Sequence, residues 1–132
     1  MTTSKEGVLI SKILAKHGAC PDRRLWRNET AGAWVGKRKG TTDKGDVVLR
    51  RGARLIQAGL CKGSADIIGL IMEPVSPTNW IAVFVALEVK TKGVRTEDHQ
   101  SKYLEVIVAL GGIAAVVRSV EDVDELLGRP PR

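Results

Sequence analysis

The sequence predicts an α/β fold, a mixed sheet flanked by helices in a single domain, and three observations carry that expectation. Residues 80–90 (WIAVFVALEVK) form a long apolar run that reads as a strand with two distinct faces. A helical period over 97–110 leads through Gly111-Gly112 into a second apolar strand at 113–117. A helix between two strands is a crossover, and crossovers join parallel strands. Residues 65–72 form a further strand, separated from Trp80 by a turn with two prolines at 73–79, which makes a hairpin. Parallel and antiparallel pairs together give a mixed sheet with helices packed on it. At 132 residues the chain has room for a single core and little for a second module.

The remaining elements follow in order. Thr3-Ser4-Lys5-Glu6 has the form of a capping box before an amphipathic helix over 4–16, ended by Gly18 and Pro21. Residues 24–28 and 33–35 read as short strands. Residues 36–45 (GKRKGTTDKG) read as a basic, glycine-punctuated loop, and 47–57 fits strand or irregular structure equally. Thr96 is the expected cap of the 97–110 helix, and Ser119 that of a last short helix over 120–127.

Composition narrows the function classes. No run approaches the ~18–20 apolar residues of a membrane span, and the N-terminus lacks the apolar core of a signal peptide, so a cytoplasmic protein is expected. Two cysteines without CxxC spacing point to reduced thiols, and a zinc site from Cys20, Cys61, His17 and His99 has no supporting ligand spacing. Five aromatic residues are few for a platform that stacks single strands. The stretch 59–64 (GLCKGS) lacks the register of a nucleotide-binding phosphate loop.

The net charge of +6 is unevenly distributed. Residues 21–64 hold eleven basic side chains (Arg23, Arg24, Arg27, Lys37, Arg38, Lys39, Lys44, Arg50, Arg51, Arg54 and Lys62) against four acids, a net of +7. The rest of the chain is at −1. This segment runs directly into Asp66, as a polyanionic substrate would require, although a solvated charged loop explains the charge equally well.

Asp66 and Glu88-Val89-Lys90 are the candidate chemistry. Asp66 begins one strand and Glu88 and Lys90 share a face near the end of the next, so two carboxylates and an ammonium meet at one sheet edge. Such oxygen ligands suit Mg²⁺ or Mn²⁺. The plain alternatives are a turn aspartate and a Glu88–Lys90 ion pair. Glu88 on an apolar strand is the harder residue to explain without a partner, since burying its charge is costly. Glu6 is either the acid of the capping box or a carboxylate on the inward face with Leu9, Ile10 and Ile13. Gln100 shares the inward helix face of Tyr103, Leu104 and Ile107, where it either reaches the Lys90 strand end or bonds to backbone.

The ordered set of 63–69 (GSADIIG), 86–90 (ALEVK), 96–100 (TEDHQ) and 110–112 (LGG) before 116–119 (VVRS) resembles the VRR-Nuc family. That family belongs to the PD-(D/E)XK, or restriction-endonuclease-like, nucleases, and the likeness spans roughly residues 4–125. The resemblance implies that Asp66 and Glu88 bind metal, that the Val89 carbonyl joins them, that Lys90 is the catalytic lysine and that Gln100 is an accessory. It favours Glu6 as the first-helix acid, with Glu29 as its rival. Ala65 stands where the superfamily often has proline. The implied activity is Mg²⁺- or Mn²⁺-dependent DNA endonuclease action with one or two ions per site. Short members resemble Holliday-junction resolvases acting as homodimers. A DNA-binding module that does not cut, a flap-type nuclease and an RNA-directed nuclease are the alternatives.

Overall fold

The structure, a computed structural model, describes residues 4–128. Helix α1 (Lys5–His17) is capped by Ser4, whose Oγ accepts the Gly7 N–H at 3.0 Å. The cap therefore sits one residue later than expected, and Thr3 lies outside the described residues. With Ser4 as N-cap, Glu6 is the second helical residue rather than the third, and the capping-box role does not hold it.

Strands β1 (Ala19–Cys20) and β2 (Arg23–Arg27) follow, then β3 (Gly32–Val35), β4 (Arg38–Thr41), β5 (Val47–Leu49) and β6 (Arg54–Gln57). The chain continues through β7 (Ile67–Pro74), β8 (Trp80–Val89), α2 (Asp98–Ala109), β9 (Ile113–Val117) and α3 (Val120–Leu126). The main sheet has the order β1-β2-β7-β8-β9. Its pairs are antiparallel except β8–β9, which is parallel across the α2 crossover. The mixed α/β arrangement is thus as the sequence predicts.

Alternation along the strands divides the core into two layers. On one face Ile67, Ile71, Val85, Leu87, Val89 and Val117 pack against Ile10 and Ile13 of α1 and Val123 of α3. On the other, Ala86 with Phe84, Ala114 and Val116 packs under Tyr103, Leu104 and Ile107 of α2. Full burial of a side chain such as Ile13 or Leu87 contributes about 1.5–3 kcal/mol.

Three expectations are corrected here. The basic segment read as loop at 36–45 contains β4, which pairs with β5, while β3 pairs with β6. Residues 32–57 thus form an arm of two ribbons that leaves the sheet after β2 and returns before β7. The hairpin strand starts at Ile67 and not at residue 65, so Asp66 immediately precedes it. The N-cap of α2 is Glu97 rather than Thr96, whose hydroxyl instead meets Ser101 Oγ at 3.2 Å.

Arg23, expected among the nucleic-acid contacts, is buried. Period-two alternation turns Arg23 inward with Leu25, and its guanidinium bonds both Asp22 carboxylate oxygens at 3.1 Å. It also lies 3.1 Å from His17 Nδ1. Arginine has no acceptor, so it donates to Nδ1 and leaves the His17 proton on Nε2, which donates to Asp124 Oδ1 at 2.6 Å. This fixes neutral His17 between α1, β2 and α3. Burial, opposed by the Asp124 hydrogen bond, lowers the His17 pKa below its ordinary 6.5. The unfolded chain therefore takes up the proton first as pH falls, and stability drops below about pH 6.5. Melting scans of the wild type and His17→Gln at pH 7.5 and 5.5 check this, the expected result being a smaller acid-induced loss in the variant.

Candidate active site

The β7–β8 register runs to Ile67 opposite Leu87. One step further sets Asp66 across from Glu88, on the α2 side of the sheet. Asp66 Oδ2 accepts the Val89 N–H at 2.8 Å, while the Lys90 N–H turns the other way to Val117 O at 3.0 Å. A residue in an extended strand sends its N–H and C=O to the same side. The Val89 carbonyl is therefore on the Asp66 side.

Glu88 is wholly buried, and its two oxygens differ. Oε1 accepts from Lys90 Nζ at 2.9 Å and from Gln100 Nε2 at 2.5 Å. Oε2 has no hydrogen-bond partner and is the one such buried side-chain atom among the described residues. Buried oxygens are rarely left unpaired. Gln100 performs both tasks that its position suggested. Its Oε1 accepts the Glu97 N–H at 3.0 Å at the start of α2, and its Nε2 holds Glu88.

Burial raises the pKa of Asp66, against the Val89 hydrogen bond and the charge of Lys90. Burial also raises Glu88, opposed by the Lys90 hydrogen bond and reinforced by the charge of Asp66. For Lys90, burial pulls downward, but the hydrogen bond and charge of Glu88, with Glu6 and Asp66, outweigh it and leave the ammonium above its ordinary value. Lys90 is thus a firm cation. Glu6, half-buried in the first turn of α1, acts on Asp66, Glu88 and Lys90 through its charge. Helix α1 packs on the opposite face of the sheet, through Ile10 and Ile13. Glu29, its rival, is exposed and paired with Arg27 at 2.8 Å, though both line a cleft that opens beside Asp66.

Asp66, Glu88 and Glu6 together carry three negative charges against one on Lys90, a set that attracts a cation. The donor set fits a hard divalent ion: carboxylate oxygens, one of them unpartnered, and a backbone carbonyl on the same side. Among the described residues no three His, Cys, Asp or Glu side chains stand grouped as a ready-made cage. The pair Asp66–Glu88 would form the nucleus of such a site. Neutralising one member should stabilise the ion-free protein, because like charges across a strand pair repel. Asp66→Asn keeps an acceptor for the Val89 N–H, and its melting temperature at pH 8 without divalent ions is expected to rise by about 3–5 °C, roughly 1 kcal/mol.

Two features of this region were missed in the sequence. Asn28 is buried at the root of the arm, its N–H donating to Asp66 O at 2.7 Å. Its Nδ2 donates to Ser64 Oγ and Ala65 O, both at 2.8 Å, and its Oδ1 accepts the Leu60 N–H at 3.2 Å. One side chain therefore fixes the backbone leading into Asp66. A lone asparagine at a strand end gives no signal of this in the sequence. The second is the arm, where Lys37, Arg38, Lys39, Lys44, Arg50, Arg51 and Arg54 are all exposed. Arg24 is exposed and bonds Cys20 O at 2.9 Å, and Lys62 is exposed on the return from the arm. His99 is half-exposed, 3.1 Å from Glu97.

No family model, curated protein or solved structure matches this chain. Among the described residues, no helix is long and apolar enough to cross a membrane.

Proposed function

We propose that the chain is a metal-dependent, structure-selective DNA endonuclease with a restriction-endonuclease-like fold, in keeping with its resemblance to the VRR-Nuc family. The observation that carries this reading is Glu88: a buried carboxylate with one oxygen unpartnered, opposite Asp66 and flanked by Lys90 and Gln100. A structural ion pair alone would not leave that oxygen bare.

Asp66 and Glu88 would hold Mg²⁺ or Mn²⁺, with the Val89 carbonyl. When bound, the ion supplies Lewis-acid charge to a scissile phosphate. Lys90, held cationic by its carboxylates, orients a water for attack and offsets charge developing on the phosphate. Gln100 keeps Glu88 in place while one oxygen stays available. The basic arm contacts phosphates, giving affinity that falls with salt and reads duplex geometry rather than base sequence. The four-way junction is the substrate proposed.

The test is incubation of the protein with four-way junction, flap and plain duplex DNA, and with the same flap in RNA, in Mg²⁺ or Mn²⁺. Preferential junction cutting supports the reading. Equal cutting of every DNA removes the junction preference, preferential RNA cutting reassigns the substrate, and tight junction binding without cutting favours a non-catalytic binding module.

A further inference from the structure

We infer that Trp26 is a specificity residue of the candidate active site: its indole stacks on the base that adjoins the scissile phosphate, and so favours a strand in which that base is unpaired. This role rests on the nuclease reading and adds to it the feature by which branched nucleic acid is told from plain duplex.

The strand registers fix the position of Trp26. Trp26 pairs with Ile68, and Ile68 with Ala86. Ala86 packs under α2, so alternation sets Trp26 and Ile68 on the face that carries Asp66 and Glu88. Ile68 lies two residues from Asp66, about 7 Å along the strand, and β2 lies one strand spacing, about 4.8 Å, from β7. Trp26 is thus within a single nucleotide's length of Asp66.

The same face shows which way a strand can lie. Helix α2 covers β8 and β9 and closes the β9 side. Over β2 and β7 the face is open, and Trp26 is 52% exposed there. The indole lines an open cleft with Arg24, Leu70 and Met72. A strand with its phosphate at Asp66–Glu88 therefore lays one of its adjoining nucleotides over Trp26. Arg24 and Arg27, both exposed, flank the tryptophan along β2. A ring among cations is the combination that binds an unpaired base and its phosphates.

One ring serves one base and needs no platform of several. Stacking accepts any base, because every base has a π-face. A base inside continuous duplex must leave its own stack and its partner before it reaches the indole, and that cost is smallest for a base already unpaired. Bases at the exchange point of a four-way junction or at the root of a flap meet this condition. Loss of an aromatic–base stack lowers affinity by about 5- to 150-fold, enough to rank branched above continuous substrates.

The test removes the base as well as the ring. A four-way junction cut in Mg²⁺ is remade with an abasic site at each nucleotide flanking the mapped cut, one at a time. On the wild type, base loss at one of these positions is expected to slow single-turnover cutting by about 5- to 150-fold. Trp26→Ala should slow cutting of the intact junction by the same factor, lose its preference for junction over duplex and be indifferent to the abasic site. Trp26→Phe, which keeps a ring, should restore most of the loss. Trp26→Leu, which keeps apolar bulk without the ring, replaces the alanine variant if that one fails to fold. Trp80→Ala alters a similarly exposed tryptophan on the same face, about 27 Å from Glu88 along β8, and should change nothing. A wild type that cuts no nucleic acid overturns the nuclease reading and this role with it. A wild type that cuts the junction whichever flanking base is missing overturns the role of Trp26 alone. So does a Trp26→Ala or Trp26→Leu variant that stays as sensitive to the abasic site as the wild type.

Discussion

Glu88→Gln is expected to abolish divalent-ion-dependent DNA cleavage, by about 10³-fold or more, while leaving the fold and DNA affinity unchanged. The substitution is nearly isosteric. Its amide oxygen can still accept from Lys90 and Gln100, so the two bonds that orient the side chain persist. What disappears is the anionic oxygen that has no protein partner. Single-turnover cleavage and salt-dependent binding of the same junction separate the two effects, because the exposed basic side chains of the arm are untouched. Unchanged cleavage by the variant would mean that Glu88 has no part in the chemistry.

Lys90→Ala should also remove cleavage but carries a second cost. Lys90 is the counter-charge of a carboxylate that is 1% exposed, and stripping one member of a buried pair costs about 3–5 kcal/mol. Loss of activity in that variant must therefore be read beside its melting temperature, whereas Glu88→Gln avoids the ambiguity.

Gly69→Ala is expected to be the most destabilising small substitution in the sheet. Gly69 sits mid-strand in β7 opposite Leu25, and a Cβ there would come within 2.1 Å of Arg24 O and 2.8 Å of Leu25 Cα. Both are backbone atoms, so no rotamer change relieves the clash and β2 must shift from β7. Strain of this kind costs about 3 kcal/mol or more, a fall of about 10 °C in Tm for a chain of this size. Gly40→Ala is the control: a Cβ there meets nothing within 4 Å, and thermal melting should change by no more than about 2 °C. The close approach at Gly69 also explains why an apolar strand carries a glycine between Ile68 and Leu70.

Period-two and helical patterns made β8, β9, α2 and α3 legible, because each buries a regular series of side chains against the core. The same regularity set Glu88 and Lys90 on one face and Gln100 on the inward face of α2. Where burial is weak the patterns fail. Strand β4 (RKGT) is polar and largely exposed, so nothing in its composition separates a ribbon from a loop, and β5 (VVL) is too short to show a period. Arg23 was misread because charge suggested solvent, while alternation with Leu25 turns it inward. Its partner His17 bonds in turn to Asp124 near the other end of the chain, and that meeting depends on how α1 and α3 pack together. Asp66 was legible as a candidate but not in its support, which comes from Asn28 across the root of the arm.

Gln100 ties the order of the site to the stability of a helix end. Its amide satisfies the Glu97 N–H with one atom and holds Glu88 with the other. Helix ends are where local opening begins most readily. Fraying of the first turn of α2 therefore removes one of the two bonds that hold the carboxylate at the same moment that it exposes the Glu97 amide to solvent. Hydrogen–deuterium exchange at that single amide becomes a clock for how often the site comes apart, readable without substrate or turnover.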